Sequence, residues 1–320
     1  MKLISAYVLV VIIWSTTPVA IQFSQTDMHF FSAVSLRMWL SAVLSLPLLW
    51  VFRQRLVMTR EALMSYVAGS VAIYAAMMTV YWGALFIPSG LISVMYGLSP
   101  MLTGLLGVWW LKERELSPLR VVALGLAFAG LVLVVSGRLT SAEGLALGEF
   151  AVRGVIGTLL SVLCFALSAV WVKKINAPVH PVVQTSGTLW VSSFFFVLTV
   201  PVLGWEIPAT WDAVALSALG YLVVCGSLLA FVLYFYILQH LPTARVALIT
   251  LIAPVLALIW GYLLRDERLQ MTTLGGVLLL LLGLLIYQWH TRLVQWHGRI
   301  ARWFLTRVTK SKQKRVRSSS

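Results

Sequence analysis

A chain of 320 residues that is 60% hydrophobic and 11% charged, with a mean hydropathy of +0.94, is not a water-soluble globule, in which about a quarter of residues are charged. Its net charge of +14 and pI near 10.2 do not make it a nucleic-acid binder, because no recognition motif accompanies the basic residues. Charged residues instead cluster between long uncharged stretches. About 20 apolar residues cross the hydrocarbon core as a helix. In chain order, spans are predicted at 3–23, 30–52, 63–86, 88–110, 119–137, 153–172, 181–203, 212–238, 243–264 and 271–290. The uncharged run 62–111 holds two of them, divided at Pro88, where a proline can open a helix. The first span follows Lys2 as a signal peptide would. It runs past the usual apolar length, and Pro18-Val19-Ala20 is a poor cleavage site, so it is read as retained. Cys164 and Cys225 both fall inside spans, so a disulfide framework is not expected.

With ten spans, both termini lie on one side. Placing that side in the cytoplasm leaves Arg138, Arg153, Arg265 and Arg268 outside and Arg37 within a span, with the other nineteen of the 24 Lys and Arg residues inside. The positive-inside bias therefore favours cytoplasmic N- and C-termini. The expected organisation is a first five-span unit over 1–138, a periplasmic linker over 139–152, a second five-span unit over 153–290 and a cytoplasmic tail over 291–320.

Residues 84–114 recur at 238–268, with six of 31 positions identical. The informative matches are Pro88/Pro242, Pro100/Pro254, Gly107/Gly261 and the closing Glu113-Arg114/Glu267-Arg268. Because each unit holds an odd number of spans, the second enters the bilayer from the opposite side. This is an inverted-topology repeat, an arrangement common in transporters. The fold class expected is an all-α polytopic membrane protein of ten transmembrane helices in two inverted five-helix repeats.

Ile13-Trp14-Ser15-Thr16-Thr17-Pro18, the run from Phe31 to Arg37, and the two Pro…Pro…Glu-Arg units resemble the EamA-type drug/metabolite transporter superfamily over roughly residues 5–290. The resemblance implies a ten-helix, basket-like inner-membrane transporter, mostly exporting small metabolites such as amino acids, with a central cavity and no enzymatic activity. It does not fix the substrate.

All ten acids and all five histidines map to loops or helix ends, so the intramembrane carboxylate or histidine relay of a proton-coupled pump is not visible. A facilitator, or coupling through a less obvious group, is expected. Arg37 is the one charge inside a span, about seven residues or roughly 10 Å from its outer end. It suits a substrate carboxylate, or it caps helix carbonyls or snorkels to the interface. Trp14, Ser15, Thr16 and Thr17 form a polar patch beside Pro18, which frees the carbonyl four residues back. In the second unit, Ser168 and Trp171 share one helix face near Phe165. Tyr96 with Ser99-Pro100, and Thr250 with Pro254, place a polar residue four before a proline in corresponding helices, which points to a transporter site. Tyr81 and Tyr236 lie near helix ends and read either as cavity edges or as part of an interfacial aromatic belt. Pro88 and Pro242 open their helices, and Glu113 and Glu267 close them, as weak local ion pairs or as gating elements. Ala123, Gly125, Gly130, Gly275, Gly276 and Gly283 read as close-packing surfaces.

The tail carries an amphipathic pattern over 293–308 and then a polybasic end, suited to anionic lipids of the inner leaflet. No metal or cofactor is expected; the partners are a small-molecule solute and membrane lipids. Drug or toxin efflux is the competing transport reading. An intramembrane enzyme fares poorly, since HExxH, Gly-x-Ser-x-Gly and paired intramembrane aspartates are all missing.

Overall fold

A computed structural model of the chain describes residues 3–111, 118–139, 149–206, 208, 210, 212–241, 246, 249–265, 271, 274–283 and 285–287. Among them all regular structure is helical. The helices are α1 (Leu3–Ser24), α2 (Phe30–Val51), α3 (Arg60–Gly83), α4 (Ser89–Tyr96), α5 (Ser99–Leu111), α6 (Pro118–Leu139), α7 (Glu149–Ile175), α8 (Pro181–Leu203), α9 (Ala213–His240), α10 (Ile249–Arg265) and α11 (Leu274–Tyr287). Seven segments are long and apolar enough to cross a membrane: α1, α2, α3, Ser89–Trp110 across α4 and α5, α7, α8 and α9. The amphipathic tail, Glu113, Pro242 and Glu267 lie outside the described residues.

Helix starts follow local chemistry. Thr59 Oγ1 accepts from the Ala62 amide at 3.3 Å, so α3 begins ahead of the expected residue 63 and takes Arg60 and Glu61 into its first turn. Asp212 caps α9 by accepting from the Val214 and Ala215 amides, both at 3.1 Å. His180 caps α8, with Pro181 in the first turn. The expected single helix over 88–110 is instead broken at Gly97-Leu98. Pro100 has no N–H to offer the Tyr96 carbonyl, and Gly97 N–H turns back to Ser93 and Val94 oxygens at 3.2 and 3.0 Å. α3 and α9 each carry a π-helical stretch, Val71–Ala75 and Leu222–Leu229, of the kind often found at functional sites.

Packing is inside-out relative to a soluble protein. α1 exposes Ile4, Val8 and Ile12 along one face, four residues apart and hence stacked. Ser15, Arg37, Ser41, Ser45, Gln184 and Thr188 are buried. That distribution suits lipid outside and a polar seam within. α1 packs on α10, α9 and α4; α7 packs on α3 and α5; α2 packs on α8 and α9.

The small residues of α6 and α11 divide. A Cβ on Gly130 would meet the Leu280 backbone nitrogen at 2.5 Å, and one on Gly283 would meet the Ala123 oxygen and the Ala127 nitrogen at 2.7 Å. Gly125 faces nothing within 4 Å. Gly130→Ala should therefore destabilise the purified protein by about 1–3 kcal/mol through overpacking. Gly125→Ala should be neutral, or stabilising by up to about 1 kcal/mol through helix propensity. Thermal unfolding in detergent of the two variants side by side checks this, and equal effects would remove the close-contact assignment.

Candidate functional site

α1, α2, α3, α4, α7, α9 and α10 converge on a cavity of about 70 Å³. α1 contributes Trp14, Thr17, Pro18 and Ile21; α2 contributes Arg37; α3 contributes Met77 and Val80. Ile92, Ser93 and Tyr96 come from α4, Phe165 from α7, Gly226 and Phe231 from α9, and Ala253 from α10.

Proline shapes one wall. Pro18 cannot donate to the Trp14 carbonyl, and the hydroxyls ahead of it bind the preceding turn. Ser15 Oγ donates to the Ile12 oxygen at 2.8 Å, and Thr17 Oγ1 to the Ile13 oxygen at 2.7 Å. Thr16 Oγ1 bonds the same turn and also Tyr221 Oη on α9, at 2.5 Å. Ser15 Oγ in turn accepts from Trp260 Nε1 of α10 at 3.2 Å. The polar patch of α1 thus ties that helix to α9 and α10, while Trp14 and Thr17 face the cavity.

Aromatic rings cluster at the cavity. Trp14 meets Phe165 edge-on at 5.6 Å between centroids and Tyr234 at 5.2 Å; Tyr96 meets Phe165 at 6.1 Å. Tyr96 Oη is 2.6 Å from Ser161 Oγ, which itself donates to the Ala76 carbonyl at 2.5 Å, just past the π-helical stretch of α3. With its own proton on Ala76, Ser161 accepts from Tyr96.

Arg37 is 0% exposed. It neither snorkels nor caps backbone: Nε donates to Ser227 Oγ at 2.9 Å and Nη1 to Tyr81 Oη at 3.3 Å. Its guanidinium carbon lies 5.9 Å from the Tyr81 ring centre. The acids Asp27, Glu61, Glu206 and Asp212 lie in loops, at a helix cap or in a first helical turn, and no acid or histidine among the described residues lines the cavity. No group of His, Cys, Asp and Glu residues able to hold a metal occurs among the described residues.

A cavity walled by seven helices, several of them long enough to span a bilayer, is the arrangement of a solute carrier, and relatives agree. The model of the EamA-like transporter family matches residues 1–136 and 152–288. The chain belongs to the EamA-like transporter family. It is 24% identical over 293 residues to the uncharacterized transporter YoaV of Bacillus subtilis, covering 88% of this chain and 95% of that one. It is also 24% identical over 224 residues to protein PecM of Dickeya dadantii, covering 70% and 72%. One crystal structure resembles the fold with a TM-score of 0.66 at 14% identity, over 90% of this chain and 97% of its own. The resemblance drawn from the sequence motifs is borne out. The protein is a multi-pass membrane transporter of this family, and the family's members are not enzymes.

Within this EamA fold, Trp14, Arg37 and Tyr96 line the cavity. Six other sequence candidates take different places. Thr16 and Tyr81 sit behind the wall, Tyr81 being fully buried against Arg37 rather than in an interfacial belt. Ser99 is buried at the start of α5. Ser168 Oγ donates to the Ala68 carbonyl at 2.7 Å in the α3–α7 contact. Trp171 packs on Trp110 with centroids 6.2 Å apart, beside Lys174. Tyr236 stacks against His240 at the end of α9, with centroids 4.4 Å apart. The side chains of Thr250 and Pro254 lie outside the described residues.

Sequence reading missed Thr17, Ser93, Phe165, Gly226 and Phe231 as lining residues. Thr17 carried a cue as part of the polar patch beside Pro18, Phe165 by its place beside the Ser168/Trp171 face, and Gly226 as a glycine in an apolar span. Its added Cβ would lie 3.2 Å from Arg37 Nη2.

Ser161→Ala would orphan the Tyr96 hydroxyl, while the Ala76 carbonyl keeps its bond from Thr79 Oγ1 at 3.1 Å, and should cost about 1–3 kcal/mol. Tyr96→Phe, which leaves Ser161 bonded to Ala76, should cost about 1 kcal/mol or less. Thermal unfolding of the two variants tests that order, and the reverse order would contradict the direction of the relay.

Proposed function

We propose that this protein is an inner-membrane exporter of a small metabolite or amino acid, working by alternating access between two inverted five-helix halves. The halves are 1–138 and 153–290, joined by a periplasmic linker over 139–152, with both termini cytoplasmic. The carrying observation is a pair of matched clasps at opposite ends of the helices around the cavity. At the C-terminal end of α1, Gln22 Nε2 donates to the Ile87 carbonyl at 2.8 Å and the Ala84 carbonyl at 3.3 Å. At the C-terminal end of α7, Lys173 Nζ donates to the Leu238 carbonyl at 2.8 Å. Under the repeat offset of about 150 residues, Gln22 corresponds to Lys173 and Ala84 to Leu238.

Other observations support the same exchange. The π-helical stretches of α3 and α9 fall in corresponding stretches of the two halves. The α1–α10 contact answers α7–α5, α1–α9 answers α7–α3, and α2–α8 and α4–α10 pair with themselves. The segments α6, α10 and α11 complete a count of ten with the seven long spans. In this reading Gln22 closes the periplasmic mouth and Lys173 the cytoplasmic one, and their release in turn exposes the cavity to each side. Arg37 in the wall weighs against drug efflux, the alternative that an uncharged aromatic cavity would suit.

Two measurements test this. Metabolite profiles of medium from knockout and overexpressing cells should show one solute that tracks expression; no change in any compound class would overturn the exporter reading. For the mechanism, Thr17→Cys in a Cys164→Ser, Cys225→Ser background reports cavity access to an impermeant maleimide added outside. Removing the Gln22 clasp with Gln22→Ala should raise labelling about fivefold, as loss of a roughly 1 kcal/mol hydrogen bond implies, and Lys173→Ala should lower it. Changes in the same direction for both would reject opposed gates.

A further inference from the structure

We infer that the solute carries a single anionic group, a carboxylate or its like, which docks on Arg37, attached to an aromatic or apolar body. This rests on the transporter reading and names its substrate class. Arginine stays protonated at any accessible pH, and a buried charge is retained only when it is paired and hydrogen-bonded. The described partners of Arg37 are two neutral hydroxyls, Ser227 Oγ and Tyr81 Oη. Together they use two of the five guanidinium N–H groups. Among the described residues no carboxylate pairs with Arg37, and its hydrogen bonds leave from Nε and Nη1.

The Nη2 flank faces Gly226, where a Cβ would stand 3.2 Å away, and both residues line the cavity. An anion entering there meets a positive charge already held from behind by Ser227 and Tyr81, so little ordering remains to be done on binding. With one cation among the described lining residues, a dianion would bury an unpaired charge. With no acid among them, a cationic head would face Arg37 without a counter-charge. The rest of that lining is mainly apolar and includes the rings of Trp14, Phe165, Tyr96 and Phe231, which suits a ring or a short hydrocarbon.

The competing account makes Arg37 only a tether holding α2 to α3 and α9. Head-group dependence separates the two, because a tether has no preference among ligands. The purified full-length protein is titrated with phenylacetate, butyrate, phenethylamine and 2-phenylethanol, and affinity is read from thermal-unfolding shifts. Phenylacetate should bind at least about tenfold more tightly than the amine or the alcohol, as a charge-assisted bond in a buried site implies. Arg37→Gln should weaken phenylacetate about a hundredfold while leaving the alcohol within about threefold. Arg37→Lys, which keeps the charge but not the planar fork, should weaken phenylacetate about tenfold.

If Arg37→Gln does not fold, Gly226→Ala crowds Nη2 with the charge intact and should weaken phenylacetate selectively. The anion assignment is overturned if the amine or alcohol binds as tightly, if neither carboxylate binds, or if Arg37→Gln weakens every head group equally. A carboxylate preference without any expression-dependent solute would instead remove the exporter reading and leave the anion site standing.

Discussion

In a bilayer core no water stands ready to satisfy a broken backbone hydrogen bond, so every departure from a continuous α-helix must find its partners within the protein. Besides Pro47 in α2 and Pro201 in α8, this chain departs at Pro18, at Gly97-Leu98 before Pro100, and at the two π-helical stretches, and the latter four concern the cavity. Each of these four adjoins or bounds the cavity, and hydroxyls and turns bond the backbone around it. Ser15 and Thr17 bind the turn ahead of Pro18, Gly97 turns back to Ser93 and Val94, and Ser161 reaches the Ala76 carbonyl beside the α3 irregularity. The cavity exists because these irregularities hold side chains and backbone apart where straight helices would close.

Arg37 belongs to the same economy of polar groups. It springs from α2 yet bonds Tyr81 on α3 and Ser227 on the π-helical part of α9. Ser41, one turn on, donates to the Arg37 carbonyl at 2.7 Å and lies 3.4 Å from the Val223 carbonyl in the same irregular stretch. A guanidinium and a hydroxyl thus hold the widened turn of α9 against α2. Side chains of the proposed first half therefore fix the backbone shape of the second beside the solute space, and a group bound at the guanidinium would act on both.

What could be read from the sequence followed from what periodicity and chemistry expose. Apolar length revealed the spans, because the bilayer imposes that length, and the lone intramembrane charge marked Arg37 as unusual before its partners were known. Trp14 and Tyr96 stood out because proline neighbours flagged them. Ser168 and Trp171 lie in helix contacts, and Tyr236 lies at a helix end, one of the two places open to it. The reason is physical: in lipid, serines and aromatic residues also serve helix–helix contacts and helix ends. Residue type alone does not separate those roles, since helix rotation decides them. Ser93 and Phe231 were invisible for the converse reason, being ordinary residues that become a wall only when seven helices converge. The π-helical stretches left no mark in the residues that form them.

The two clasps differ in a way that matters for the proposed pair of near-equivalent halves. If the halves were chemically identical, the inward-open and outward-open states would be equal in energy, and nothing would set the resting state. Gln22 offers a neutral amide to two carbonyls, and its Oε1 is buried without a partner. Lys173 offers a full charge to one carbonyl at the end of α9, where the helix dipole favours a cation. A hydrogen bond from a charged donor is the stronger of the two, and an orphaned Oε1 weakens the neutral clasp further. Within the alternating-access reading the Lys173 side is therefore the harder to open, and the resting protein is biased toward exposing its cavity at the Gln22 end. Substitution between corresponding positions, rather than the duplicated architecture itself, is what gives such a carrier a preferred side.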